Sequence, residues 1–303
     1  MDNLLLLHQD LKTKTYRHGG YHAFNISDPK PRNIHKASVR DRLLHHAVYR
    51  VLYPYFDIKF IHDSYSCRLN KGTHKAMERF KYFGSIVSKN NTKQCWILKC
   101  DIKKFFASVD HNTLVQILDE HIEDKNVLWL LGQVIVSFSS LPSTPHIYAM
   151  ADICNQGLPL GNLTSQLLVN IYMNKFDQYI KHKLKVKYYI RYADDFVVFT
   201  SDRKYLTLLL PMIQEFLYKK LKLILHPNKI FIKTFSSGVD FLGWVHFPDH
   251  RVLRTATKRR MLKKLAKSSP QESKASYLGM LRWGNTHKII NKVFKLVATS
   301  RKL

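Results

Sequence analysis

Tyr188-Tyr189-Ile190-Arg191-Tyr192-Ala193-Asp194-Asp195-Phe196-Val197-Val198-Phe199-Thr200 sets two adjacent carboxylates between two runs rich in aromatic and β-branched residues. That composition predicts strand, turn, strand. Neighbours on a regular strand point to opposite faces, but at a tight turn both carboxylates can lie near one point. Held close they repel, so the pair needs a counter-charge. Oxygen-only ligands suit a hard cation such as Mg²⁺, which keeps waters and takes one or two carboxylates plus substrate phosphates. Asp-Asp is also ordinary turn material. The stretch gains meaning only with a third carboxylate and a nucleotide pocket.

Cys95-Trp96-Ile97-Leu98-Lys99-Cys100-Asp101 supplies that third acid at the end of an apolar run, with Ile102-Lys103-Lys104-Phe105-Phe106 following. The run predicts a buried strand, and a carboxylate at its end needs pairing or a metal. A helix cap is the alternative for Asp101, and it is the role expected of Asp110, just before His111-Asn112-Thr113-Leu114. Gln156-Gly157-Leu158-Pro159-Leu160-Gly161-Asn162-Leu163-Thr164-Ser165-Gln166 is a glycine-bearing loop opening a helix over 167–176. Such a loop can admit a nucleotide close to backbone, although a plain loop-helix junction has the same composition.

The 303 residues exceed one ordinary core and imply two or three subdomains. Lysine and arginine total 49 against 22 acids, a formal charge of +27. That imbalance costs self-repulsion unless a polyanion offsets it, and nucleic acid is the expected partner rather than a membrane. The four cysteines show no Cys-x-x-Cys pairing, which argues against a zinc site or disulfide framework and fits a reducing, cytoplasmic setting. The 4–7 leucine run is too short for a signal peptide, and no transmembrane run exists.

Residues 1–30 read as polar and turn-rich after the leucines. Pro29-Lys30-Pro31-Arg32 is extended by its prolines and sets two cations on a stiff segment, either a phosphate contact or a solvated loop. Apolar spacing predicts helices over 39–53, closed by Pro54, and over 73–87, giving a helical, basic N-terminal region. A loop is expected over 63–68, a helix over 127–138 and a loop over 139–145. A helix over 206–221 and strands over 223–225, 230–234 and 241–245 follow. From Arg251 onward fifteen Lys or Arg face Glu272 alone, with leucines and aromatics at helical spacing. Folded cationic helices there would suit a duplex backbone. The order brings one acid from a strand beside two from a hairpin, a β-α-β arrangement on an antiparallel sheet. Two divalent ions between them could clamp an in-line phosphoryl displacement, a reaction of positioning and charge stabilisation.

In this order the motifs resemble those of reverse transcriptases over nearly the whole chain. Leu98-Lys99-Cys100-Asp101-Ile102-Lys103-Lys104-Phe105-Phe106 resembles the first palm motif and Tyr192-Ala193-Asp194-Asp195 the metal-binding motif. The 159–166 loop, Asn228-Lys229 and Phe241-Leu242-Gly243-Trp244 resemble the loop before the palm helix, the next motif and the primer-grip hairpin. The resemblance implies an α+β right-hand polymerase. Fingers would span 1–92 and a ferredoxin-like palm 93–247, with a helical insertion at about 120–155. A small basic helical thumb would span 248–303. It implies Asp101, Asp194, Asp195 and the Ile102 carbonyl as ligands of two Mg²⁺, with Mn²⁺ as a substitute. Lys30, Arg32, Phe106, Leu160, Gly161, Gln166, Asn170 and Lys229 are implied around a deoxynucleoside triphosphate, with Phe106 as ribose gate or, alternatively, a core aromatic. Arg68, Tyr192, Phe241, Leu242, Gly243 and Trp244 are implied near primer and template.

One departure narrows the resemblance. Most relatives carry Gln-Gly then Ser-Pro, whereas Leu160-Gly161 is followed by Ser165-Gln166. This, with Ser276-Tyr277-Leu278-Gly279 and Gly284-Asn285-Thr286, resembles the reverse transcriptases of diversity-generating retroelements. An aliphatic residue replacing an amide beside the incoming base removes a hydrogen bond that helps hold the nucleotide. The resemblance implies error-prone copying of a structured template RNA opposite adenines into an RNA/cDNA hybrid. It also implies a basic accessory variability protein, an oligomer, as partner. An enzyme of an antiviral defence or group II intron lineage, and a non-catalytic RNA-binding scaffold, are the alternatives.

Overall fold

The computed structural model describes residues 2–27, 31–140, 155–266 and 271–299. Lys30, part of the loop expected over 139–145 and residues 141–154 of the expected insertion lie outside the described residues. The chain opens with α1 (Asp2–Lys12), then β1 (Tyr21–Ile26), β2 (Arg32–Ala37), α2 (Val39–Asp57) and α3 (Thr73–Val87). Strand β3 (Trp96–Asp101) precedes α4 (His111–Asp119), α5 (Lys125–Val136) and α6 (Leu163–Gln178). Then come β4 (Tyr189–Tyr192), β5 (Asp195–Thr200), α7 (Arg203–Leu221) and β6 (Phe231–Thr234). Strands β7 (Val239–Phe241), β8 (Trp244–His246) and β9 (Arg251–Leu253) lead to α8 (Thr255–Ala266), α9 (Gln271–Leu281) and α10 (His287–Thr299).

The central sheet runs β4-β5-β3-β6 and is antiparallel throughout. Strand β3 is buried on both faces, which is why its sequence is apolar without alternation. Leu98, Cys100, Phe196, Val198 and Tyr189 form the back face and pack with α6 and α7 through Met173, Phe176, Leu206 and Ile213. Ile97, Ile190, Val197 and Phe199 form the front face and meet Phe80 and Phe83 of α3 and Phe241 of β7. Full burial of each such aliphatic stabilises by about 1.5–3 kcal/mol. The front-face core stops short of one end of the sheet, where β3 ends and the β4-β5 turn begins.

Several expectations change. Pro54 lies inside α2 and does not end it. The proline is exposed, so the backbone carbonyl that it leaves unbonded can be hydrated, and one more turn anchors Phe56 in the core. The expected helix over 127–138 begins two residues earlier, at Lys125, because Asp124 accepts from the Asn126 and Val127 amides. Residues 223–225 form a single bridge, Ile102 to Leu225, rather than a strand. Residues 241–245 form a hairpin rather than one strand, because Leu242 and Gly243 both take positive φ, 51° and 87°, and reverse the chain. The N-terminal region is not all helical. It opens with α1 and carries a β1-β2 ribbon, a separate two-stranded sheet with most of its residues exposed.

The C-terminal helices enclose a small core of their own, in which Met261, Leu265, Leu281 and Val293 surround Trp244 and Leu253. Gly284 packs flush on the Trp244 ring, where a β-carbon would collide with it. Asn285 donates its amide to Arg251 O at 2.8 Å, and Trp283 stacks on His74 of α3 at 3.7 Å. The turn between α9 and α10 thus fastens the basic helices to the hairpin and to α3.

Candidate active site

Asp101 closes β3 and Asp195 opens β5, and the two are direct cross-strand partners. Directly opposed residues share a face with β-carbons about 4.5–5.5 Å apart. Asp194 occupies the two-residue turn, where Ala193 takes a φ of 54°. The Asp194 carbonyl accepts the Ile102 amide at 3.2 Å, which ties the turn to the end of β3. The three acids are therefore brought together as expected.

Two lysines meet them. Lys229 Nζ is 2.8 Å from Asp101 Oδ1, and Lys99 Nζ is 3.1 Å from Asp195 Oδ1. Lys99 stands two residues before Asp101 on the same strand face, so period-2 counting could have found it. Asp194 has no lysine or arginine at ion-pair distance among the described residues. Burial first, then the charges of Asp195 and Asp101, push its carboxyl up to about 6, with Lys229 opposing. Burial also raises Asp195, against the pull of Lys99.

Among the described residues, no group of three His, Cys, Asp or Glu side chains encloses an ion by itself. The site still fits a hard divalent cation. Its donors are carboxylate oxygens, it already attracts two ammonium groups, and its third acid is destabilised as an anion. An ion there would complete its shell with water and substrate phosphates, the habit of Mg²⁺.

The loop expected near the nucleotide bridges this sheet end and the ribbon. Leu158 donates its amide to Phe106 O at 2.8 Å, and Leu160 O accepts the His35 amide of β2 at 2.9 Å. Asn162 Nδ2 reaches His35 O at 2.9 Å. Phe106 is half-buried, stacked edge-on to Phe105. Gly161 has a φ of 108°, and a β-carbon there would lie 2.7 Å from Ile34 Cγ2. Gly161→Ala is therefore expected to loosen the ribbon, costing about 1–3 kcal/mol, seen as faster amide exchange in β2 with the central sheet unchanged. Arg32 stands exposed on the ribbon, and Gln166 is half-buried on α6.

Other expected contacts turn inward. Arg68 spends four of its five donors on Asp57, Ile61 O and Ser64 O, bonds that shape the 57–68 loop. Asn170 is buried, donating to Ser66 O at 2.9 Å and accepting from Arg191. Phe241 and Trp244 are core side chains, which leaves the Leu242-Gly243 turn as the accessible part of that hairpin. Tyr192 shares the carboxylate face and accepts from Thr73 Oγ1 at 3.1 Å. Charge in a sequence does not tell which way a side chain turns, as the inward bonds of Arg68 illustrate.

Three acids at one end of an antiparallel sheet, a flanking glycine loop and a basic helical unit define a template-directed polymerase of the right-hand type. The family described as reverse transcriptase (RNA-dependent DNA polymerase) matches residues 26–247, and the chain belongs to it. Its enzyme class is RNA-directed DNA polymerase. Protein YkfC of Escherichia coli (strain K12) is 24% identical over 84% of this chain and 71% of its own length. Group II intron-encoded protein LtrA of Lactococcus lactis subsp. cremoris is 24% identical over 73% of this chain and 44% of its own. Telomerase from Candida albicans, solved with a fragment of telomeric RNA, superposes with a TM-score of 0.57 at 12% identity. That match covers 84% of this chain and 51% of telomerase, so the likeness is one of fold. The chain thus spans less than half of LtrA and about half of telomerase. No helix among the described residues is long and apolar enough to cross a membrane.

Proposed function

We propose that the protein copies a structured template RNA into cDNA, and that it does so inaccurately opposite adenines, as a diversity-generating enzyme. The observation that carries the synthetic reading is the Asp101–Asp195 cross-strand pair beside the Asp194 turn. Asp101, Asp194, Asp195 and the Ile102 carbonyl would hold divalent ions. Mg²⁺ bound there supplies Lewis-acid activation of the primer 3′-hydroxyl and charge neutralisation at the triphosphate. Lys229, part-exposed and next to Asp101, would meet a phosphate, and exposed Arg32 would offer a second cation from the ribbon. Leu242 and Gly243 present backbone to the primer. The α8–α10 helices carry positive charge for the duplex. Free thiols at Cys67, Cys95 and Cys100 suit a reducing compartment.

Phe106 is half-buried, and its carbonyl accepts the Leu158 amide at the start of the loop. With the ring trimmed, Phe106→Ala is expected to admit ribonucleotides, lowering the deoxy-over-ribo preference in kcat/KM by at least tenfold on one template. An unchanged preference would return Phe106 to the core.

The inaccurate reading rests on Leu160, whose backbone is pinned by His35 and whose side chain offers no hydrogen bond. The test is sequencing of cDNA made by the protein with its template RNA and a basic accessory oligomer. Leu160→Gln is expected to cut misincorporation opposite adenine several-fold. An adenine error rate as low as at other bases in the wild type would favour the second reading, an intron-type lineage, which the likeness to LtrA supports.

A further inference from the structure

We infer that Arg191, locked to Asp177 behind the central sheet, is a positioning residue that sets the geometry of the Asp194-Asp195 turn. Arg191 faces Phe196 across β4-β5, so its side chain lies on the face opposite Asp195. Arg191 and Asp177 are both fully buried. Nε donates to Asp177 Oδ1 at 2.8 Å, and Nη2 donates to Oδ2 at 2.7 Å and to Ser64 Oγ at 3.1 Å. Nη1 donates to Asn170 Oδ1 at 3.3 Å and to the Ala193 carbonyl at 3.2 Å. Tyr189 donates its hydroxyl to Asp177 Oδ1 at 2.8 Å. Every guanidinium N–H is used.

The Ala193 bond is the one that reaches the turn. Ala193 holds a left-handed φ without being glycine, a conformation that persists only when its surroundings over-determine it. Two successive carbonyls of the turn are pinned from different sides, Ala193 O by Arg191 and Asp194 O by the Ile102 amide. The backbone of Arg191 is held as well, donating to Asp63 O and accepting from the Tyr65 amide, both at 2.9 Å. The turn is thereby referenced at once to α6 and to the 63–65 loop.

Stability alone is a poor reason for such a pair. Replacing a buried ion pair by apolar groups of similar size is often neutral or stabilising, whereas removing one partner costs several kcal/mol. A role in geometry separates from a role in stability when both partners go together. A displacement of about 1 Å at a reacting centre costs on the order of 100-fold in rate.

The inference rests on the polymerase reading, so the experiment reads metal binding apart from synthesis. The full chain carrying Arg191→Met with Asp177→Leu is compared with wild type by thermal melting, by dNTP incorporation on a primed RNA template and by Mn²⁺ titration followed by electron paramagnetic resonance. The expected double variant stays folded but melts below wild type, because Tyr189, Ser64 and Asn170 lose partners. Once folded it loses about 10- to 100-fold in kcat with KM for dNTP little changed, and binds Mn²⁺ about tenfold more weakly. Wild-type kcat and Mn²⁺ affinity in a folded double variant would overturn the inference. Arg191→Lys keeps the charge on Asp177 but cannot span to Ala193 O, and it decides the matter should the double variant not fold. Weaker Mn²⁺ binding supports the role and unchanged binding removes it. A wild-type protein that neither binds Mn²⁺ nor incorporates dNTP would instead sink the polymerase reading.

Discussion

Asp194→Asn is expected to abolish nucleotide incorporation and, in the presence of a chelator, to make the protein more stable. On the proposed metal-binding role of Asp194, its loss should cut kcat by about a thousandfold or more, because phosphoryl transfer depends mainly on positioning and charge stabilisation. The stability gain follows from the carboxyl being pushed up to about 6 by burial and by its two acidic neighbours. A group raised in the folded state binds its proton more tightly there than in the unfolded chain. Its contribution is fully present below the ordinary carboxylate range and is lost as pH rises through about 6. At pH near 7.5 the wild type carries that cost, and the neutral amide does not. That cost is about 2 kcal/mol after allowance for partial solvent access. Melting with chelator should show the variant ahead at pH near 7.5 and level with wild type near pH 4. A variant less stable than wild type at both would mean that the acids do not repel one another.

Gly284→Ala should shorten the cDNA made per binding event several-fold while leaving addition of a single nucleotide within about twofold. The added methyl collides with the Trp244 ring, which is held between the hairpin and the C-terminal core and cannot swing away. Overpacking of this kind costs about 1–3 kcal/mol. The strain falls on the seam that joins the basic helices to the sheet and not on the carboxylates. On the proposed duplex-binding role of these helices, the grip would weaken, so a trap added after initiation should expose the loss. Full-length products in the presence of trap would show that the seam does not govern duplex retention.

Much of the carboxylate-bearing end of the sheet was legible. Two aromatic-rich runs around Asp194-Asp195 dictated a hairpin, and an apolar run ending on Asp101 dictated a buried strand. Which strands became neighbours was not readable, because β3 pairs with partners far along the chain, and local composition carries no record of that. Lys99 was within reach of simple alternation. Arg191 was not, since its acid sits on α6 and its oxygens come from loops 63–66 and 193. The ribbon escaped notice because its strands have almost no buried side and so lack the alternation that marks a half-buried strand.

The strand order β4-β5-β3-β6 also bears on synthesis of the chain itself. Strand β3 leaves the ribosome before either of its neighbours exists. An apolar segment with both edges open must wait through α4, α5 and α6 for β5, and longer for β6. Such a segment invites pairing with other nascent chains. Slow translation or scarce chaperone should therefore lower the soluble yield of this protein more than that of one whose sheet is laid down hairpin by hairpin.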